Sequence, residues 1–128
     1  MIRLLLVDDS DAIVDLLKAI LEIHGGFAVT TASSAAEAMD LLSAREFEVV
    51  LTDVRMETPL AGFEVARAAG KLLPRPVIVL LTASSPLTSD WKSSGADEFL
   101  PKGPGALEIP KKVEALLQAR EQRRTSVA

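Results

Sequence analysis

At 128 residues and 13.7 kDa, with 48% hydrophobic and 25% charged residues, the chain has the size of one domain with a full core and leaves no room for a second. The absence of cysteine excludes disulfides, zinc-thiolate sites and thiol nucleophiles, so any metal must be held by oxygen. A formal net charge of −4 argues against a broad nucleic-acid footprint, and no apolar block reaches the roughly 18 to 20 residues of a membrane span.

Met1-Ile2-Arg3 runs straight into an apolar block without the pattern of a signal peptide, so a cytoplasmic chain from which nothing is removed is expected. Leu4 to Val7 is a continuous apolar run of strand length, and Ile13, Leu16, Leu17, Ile20 and Leu21 then recur at helical spacing. His24-Gly25-Gly26 supplies a glycine stop, with His24 suited to the negative end of the helix dipole. Phe27 to Thr31 is rich in strand formers. Ser34 with Glu37 three residues later is a capping-box signature before the apolar positions Ala38, Met39, Leu41 and Leu42.

Phe47 to Thr52 reads as the third strand, a loop follows Asp53, and Phe63, Val65 and Ala66 open a helix that must close before Pro74 and Pro76. Val77 to Leu81 runs on without alternation, as a strand covered on both faces does. Ser84 to Ser94 is poor helix material, so a short fourth helix is expected, with Trp91 packing it onto the sheet. Glu98 to Leu100 is a short fifth strand, and Pro110 starts a last helix with Val113, Leu116 and Leu117 on one face. Five strand-helix units predict an α/β fold with a parallel sheet covered by helices on both faces. Residues 1–119 form that domain and 120–128 a C-terminal tail, whose Arg120, Arg123 and Arg124 read as cations complementing a helix end.

The chemistry lies where the apolar runs stop. Asp8 and Asp9 follow the first strand, Asp53 the third, Thr82 the fourth and Lys102 the fifth. In an open parallel sheet those carboxyl ends share one edge, which is where such folds build their sites. Crowded carboxylates repel one another unless a cation sits between them, and Mg²⁺ takes one or two carboxylates plus phosphate oxygens. Asp53 stands apart from the acid pair, so it is the carboxylate placed to act as nucleophile and become an aspartyl phosphate. Lys102 and Thr82 then serve the phosphoryl oxygens as cation and hydroxyl donor.

The segments LLLVDDSD, VVLTDVRM, VIVLLTAS and GADEFLPK together resemble the receiver domain of bacterial two-component response regulators, over nearly the whole length. The resemblance implies a flavodoxin-like three-layer fold with five strands in the order 2-1-3-4-5 and five helices. It implies phosphorylation at Asp53 by a histidine kinase or histidine phosphotransfer protein, with Mg²⁺ as cofactor. Asp8, Asp9, Asp53 and the backbone carbonyl of Arg55 are then the metal ligands. Thr82 and Phe99 are the implied switch, remodelling the face of the fourth helix, fifth strand and fifth helix that meets a downstream protein or a second copy of the chain.

Departures from the family pattern are visible. The loop Met56-Glu57-Thr58-Pro59-Leu60-Ala61-Gly62 is one residue longer, Gly103 rather than proline follows Lys102, and the segment from Thr82 to Gly95 is about two residues short. Taken singly, Asp8 or Asp9 reads as a helix N-cap, Thr82 as a strand-end residue and Lys102 as a solvated lysine; their joint order is what points to a site. Phe99 reads equally as core filling, and Arg55 either reaches the phosphoryl group or contributes only its carbonyl. Two rival readings are a pseudo-receiver that is never phosphorylated and a haloacid-dehalogenase-type phosphatase using Asp9-Ser10-Asp11. In the second rival Asp53 has no role.

Overall fold

Strands β1 (Arg3–Val7), β2 (Ala28–Ala32), β3 (Val49–Asp53), β4 (Val77–Thr82) and β5 (Glu98–Pro101) pair in the order β2-β1-β3-β4-β5, all parallel. The computed structural model describes residues 1–82, 93–102 and 105–126, with side chains up to residue 122. Among them are four helices: α1 (Asp11–Gly25), α2 (Ala35–Ala44), α3 (Ala61–Gly70) and α4 (Ile109–Ser126). A 3-10 turn at Ala106–Glu108 precedes α4. The short helix and the Trp91 packing expected between Ser84 and Ser94 fall largely outside the described residues. The sheet order is the expected one.

Successive strand residues point to opposite faces, so each apolar run splits its side chains between two cores. Leu5, Val7, Val50, Ile78 and Leu80 pack with Ala38 and Leu42 of α2 and Val65, Ala66 and Ala69 of α3. Leu4, Leu6, Val49, Leu51, Val79 and Leu81 pack with Leu17, Ile20 and Leu21 of α1 and Ile109 and Val113 of α4. Burial on both faces explains why these strands read as unbroken apolar runs rather than alternating ones.

The helix ends follow local chemistry. Ser34 Oγ accepts from the Glu37 N–H and a Glu37 oxygen accepts from Ser33 N–H, so the expected capping box forms, displaced by one residue on its return arm. Gly26 closes α1 in the left-handed region at φ 68°, and His24 lies in the last turn as expected. The N-cap of α1 is Ser10, whose Oγ accepts from Ile13 N–H; the carboxylates of Asp8 and Asp9 do not serve as that cap. Residues 120 to 126, expected as a tail, continue α4, and the Arg120 guanidinium donates to the carbonyl of Arg75 below β4.

Candidate functional site

The three acids meet at the carboxyl edge of the sheet. Asp8 is the first residue past β1 and is 1% exposed, with Oδ1 accepting from Ser10 N–H at 3.0 Å. Asp53 ends β3, and its Oδ1 accepts from Val54 N–H at 2.8 Å. Asp9 is exposed at the rim. One carboxylate oxygen from each of Asp8, Asp9 and Asp53 lies within 4.8 Å of the others.

Lys102 completes the arrangement. Its N–H donates to the Thr82 carbonyl at 2.8 Å, which extends the β4–β5 pairing one residue past Thr82 and Pro101. Strands β5 and β3 are two spacings apart, about 10 Å, and the long lysine stem crosses the end of β4 to cover that gap. The ammonium donates to Asp8 Oδ2 at 2.9 Å and sits 3.1 Å from Asp53 Oδ2. One half-buried cation thus stands between two buried carboxylates.

Burial first, and the neighbouring Asp8 charge second, push the Asp53 carboxyl above its ordinary value of 3.8, against the Lys102 ammonium and the Val54 N–H. Burial alone acts to lower the Lys102 ammonium, but its hydrogen bond to Asp8 and the charge of Asp53 outweigh it and hold it above its ordinary value. For Asp53 the consequence is a stability penalty. A carboxyl whose folded value is raised costs stability when ionised, and the cost disappears as pH falls from the folded value towards 3.8. Asp53→Asn is therefore expected to stabilise the domain by about 1 kcal/mol at pH 7. Urea unfolding at stepped pH should show that advantage shrinking as the solution is acidified, and an advantage that grows in acid contradicts it.

Thr82 is buried at the end of β4, and the Asp53–Leu81 register places it one residue beyond Asp53 on the adjoining strand. Phe99 pairs in register with Leu80, and its half-buried ring packs against the core on the α2 and α3 side. Leu80 and Thr82 share a sheet face by the two-residue period, so Thr82 and Phe99 lie on the same side of the sheet. The Arg55 side chain is exposed two residues past Asp53.

Two residues matter at the site that the sequence reading did not single out. Gly62, second in α3, donates its N–H to the Val54 carbonyl at 2.9 Å, and a Cβ there falls 2.0 Å from the Asp53 carbonyl oxygen. The helix approaches the Asp53 backbone more closely than any side chain permits. A glycine inside the first turn of a helix was the available signal. Glu57, in the β3–α3 loop, sends its carboxylate to the N–H groups of Ala35 and Ala36 at the start of α2, a contact across 22 residues that no local pattern announces.

The donor set is all oxygen, three carboxylates with one open to solvent, which fits a small hard divalent cation such as Mg²⁺. Among the described residues no helix is long and apolar enough to cross a membrane. The sequence profile of the response regulator receiver domain matches residues 4–114. The transcriptional regulatory protein YvrH of Bacillus subtilis is 32% identical over 118 residues, covering 90% of this chain; the chain spans about half (48%) of that relative. A CheY-like receiver domain protein from Methanospirillum hungatei superposes with a TM-score of 0.85 at 28% identity, covering 96% of this chain and 98% of that one. The response regulator TrrA of Thermotoga maritima, crystallised in complex with Mg²⁺-BeF, does so with a TM-score of 0.80 at 34% identity, covering 91% and 99%. With the profile spanning most of the chain and the doubly covered 2-1-3-4-5 sheet beneath it, the chain belongs to the receiver domains of two-component response regulators.

Proposed function

We propose that this domain accepts a phosphoryl group on Asp53 from a histidine kinase or histidine phosphotransfer protein and alters its affinity for a downstream protein in response. The observation that carries the reading is the Lys102 ammonium held between Asp8 and Asp53, with Asp9 beside them. As an Asp53 oxygen bonds to phosphorus, the phosphorus–nitrogen bond of the donor breaks and its electron pair leaves with the imidazole. Lys102, already at Asp53 Oδ2, pairs with the phosphoryl oxygens, and the Thr82 hydroxyl donates to one of them. The Val54 N–H bond at Oδ1 fixes the rotation of the carboxylate.

Asp8, Asp9, Asp53 and the Arg55 carbonyl are the residues to hold Mg²⁺, which when bound neutralises charge on the transferring group. The crystallisation of TrrA with Mg²⁺-BeF supports magnesium as the cation. Thr82 and Phe99, on one side of the sheet, are the switch pair in this reading. The domain catalyses its own modification and its slow reversal, with no outside metabolite as substrate. Incubation with a small phosphodonor such as acetyl phosphate and Mg²⁺ should add the mass of one phosphoryl group to the parent and none to Asp53→Ala. Equal labelling of both proteins contradicts the assignment.

A further inference from the structure

We infer that Glu57 is a positioning residue for the divalent-ion site, acting by clamping the β3–α3 loop to helix α2; the inference rests on the proposed Mg²⁺ site. Glu57 accepts from Ala35 N–H at 3.0 and 2.9 Å through its two oxygens and from Ala36 N–H at 3.4 Å through the second. These are the first two N–H groups of α2, and the next one in need of a partner, at Glu37, is taken by Ser34 Oγ at 3.1 Å. The first turn of a helix leaves its N–H groups without intrahelical acceptors and carries partial positive charge, so a carboxylate is held there by both hydrogen bonding and the dipole. Those N–H groups hold the Glu57 carboxyl below its ordinary value of 4.5, as a carboxylate gripped in its charged form must be.

The clamp matters because of what else the loop carries. Glu57 is four residues past Asp53 and two past Arg55, whose carbonyl is assigned to the metal. From Asp53 the chain is pinned at Val54, by the bonds from Val54 N–H to Asp53 and from Gly62 N–H to the Val54 carbonyl. Beyond it, the bond from Met56 N–H to the Thr58 carbonyl at 3.1 Å closes a turn within the loop, Ala61 N–H at the start of α3 donates to the same carbonyl at 3.3 Å, and the half-buried Met56 side chain packs against the core on the α2 and α3 side. Glu57 adds a hydrogen-bonded anchor on α2, an element whose base is buried through Ala35 and Ala38. The chain from Arg55 to Leu60 spans the gap between Val54 and α3, and the long-range clamp removes conformational freedom from that span.

Mg²⁺ affinity, read from the rise of the thermal unfolding midpoint with Mg²⁺ concentration, separates positioning from simple support of the fold. Glu57→Ala is expected to weaken apparent Mg²⁺ affinity about tenfold, the lower end of what outer-shell partners contribute. Glu57→Gln keeps a carbonyl acceptor for Ala35 N–H and should recover most of that loss. In phosphorylation by acetyl phosphate, Glu57→Ala should raise the Mg²⁺ concentration giving half the maximal rate and leave the saturated rate in place. Glu37→Ala, which damages the same helix start without touching the loop, should lower the midpoint in the absence of metal and leave Mg²⁺ affinity as in the parent. Parent-like affinity in Glu57→Ala, or an equal loss in Glu37→Ala, overturns the inference while the metal site stands, provided Asp8→Asn abolishes the Mg²⁺ response. A parent with no Mg²⁺ response overturns both.

Discussion

Lys102→Ala is expected to slow phosphoryl transfer to Asp53 by about a hundredfold and to lower stability in the absence of Mg²⁺ by about 3 kcal/mol. Both effects come from one geometry. The ammonium is the shared partner of two carboxylates, one of them 1% exposed, at 2.9 and 3.1 Å. Removing it leaves Asp8 with Ser10 N–H and Asp53 with Val54 N–H, so two buried like charges face each other with no cation between them. It also removes the main influence holding the Asp53 carboxyl down, so that carboxyl rises further. Added Mg²⁺ can replace the missing charge between the acids but not the donor aimed at the phosphoryl oxygens. Stability should therefore recover with Mg²⁺ while the rate does not. Chemical denaturation with and without Mg²⁺, alongside a time course of phosphorylation by mass, measures both. A variant that keeps the parental rate shows that Lys102 belongs to the fold and not to the transfer.

Gly62→Ala is expected to destabilise the domain by about 3 kcal/mol, opposite in sign to the usual effect of alanine for glycine in a helix, where alanine is normally favoured. The new Cβ falls 2.0 Å from the Asp53 carbonyl oxygen, 2.7 Å from Val54 Cα and 2.8 Å from the Asp53 carbonyl carbon, all backbone atoms that no rotamer change can move aside. Relief requires α3 to withdraw from the end of β3, which breaks the bond from Gly62 N–H to Val54 and lets the Asp53 backbone drift. Thr52 Oγ donates to the same Asp53 carbonyl at 3.0 Å and resists that drift from the other side. The phosphorylation rate at saturating Mg²⁺ should fall together with the urea midpoint. A variant of parental stability means that the helix packs less tightly against the end of β3 than the distances state.

The architecture was legible because a parallel sheet covered on both faces writes itself as unbroken apolar runs, and Leu4 to Val7 and Val77 to Leu81 are such runs. Each run stops where the chain meets solvent at the sheet edge, so the residues just past it announced Asp8, Asp53 and Lys102 in advance of any coordinates. Contacts between distant segments left no such trace. Ser10 rather than either acid caps α1, and the Asp8 oxygens are engaged instead by Ser10 N–H and Lys102. Helix α4 runs on through the charged stretch after residue 119 to Ser126, and the bond from the Arg120 guanidinium to the Arg75 carbonyl spans 45 residues. Glu57 read as one more acid in a loop, since its partners lie 21 and 22 residues upstream. Gly62 was visible as a residue but not as a requirement, since close approach of two backbones is a property of packing alone.

The central claim is that one particular carboxylate, Asp53, becomes the acyl phosphate. Borohydride reduces an acyl phosphate to the alcohol and so converts a phosphorylated aspartate to homoserine, marking the site permanently. After treatment with acetyl phosphate and Mg²⁺, reduction and peptide sequencing by mass spectrometry, homoserine is expected at position 53 and at no other aspartate. Homoserine at position 8 or 9, or none anywhere in a protein that binds Mg²⁺, contradicts the account.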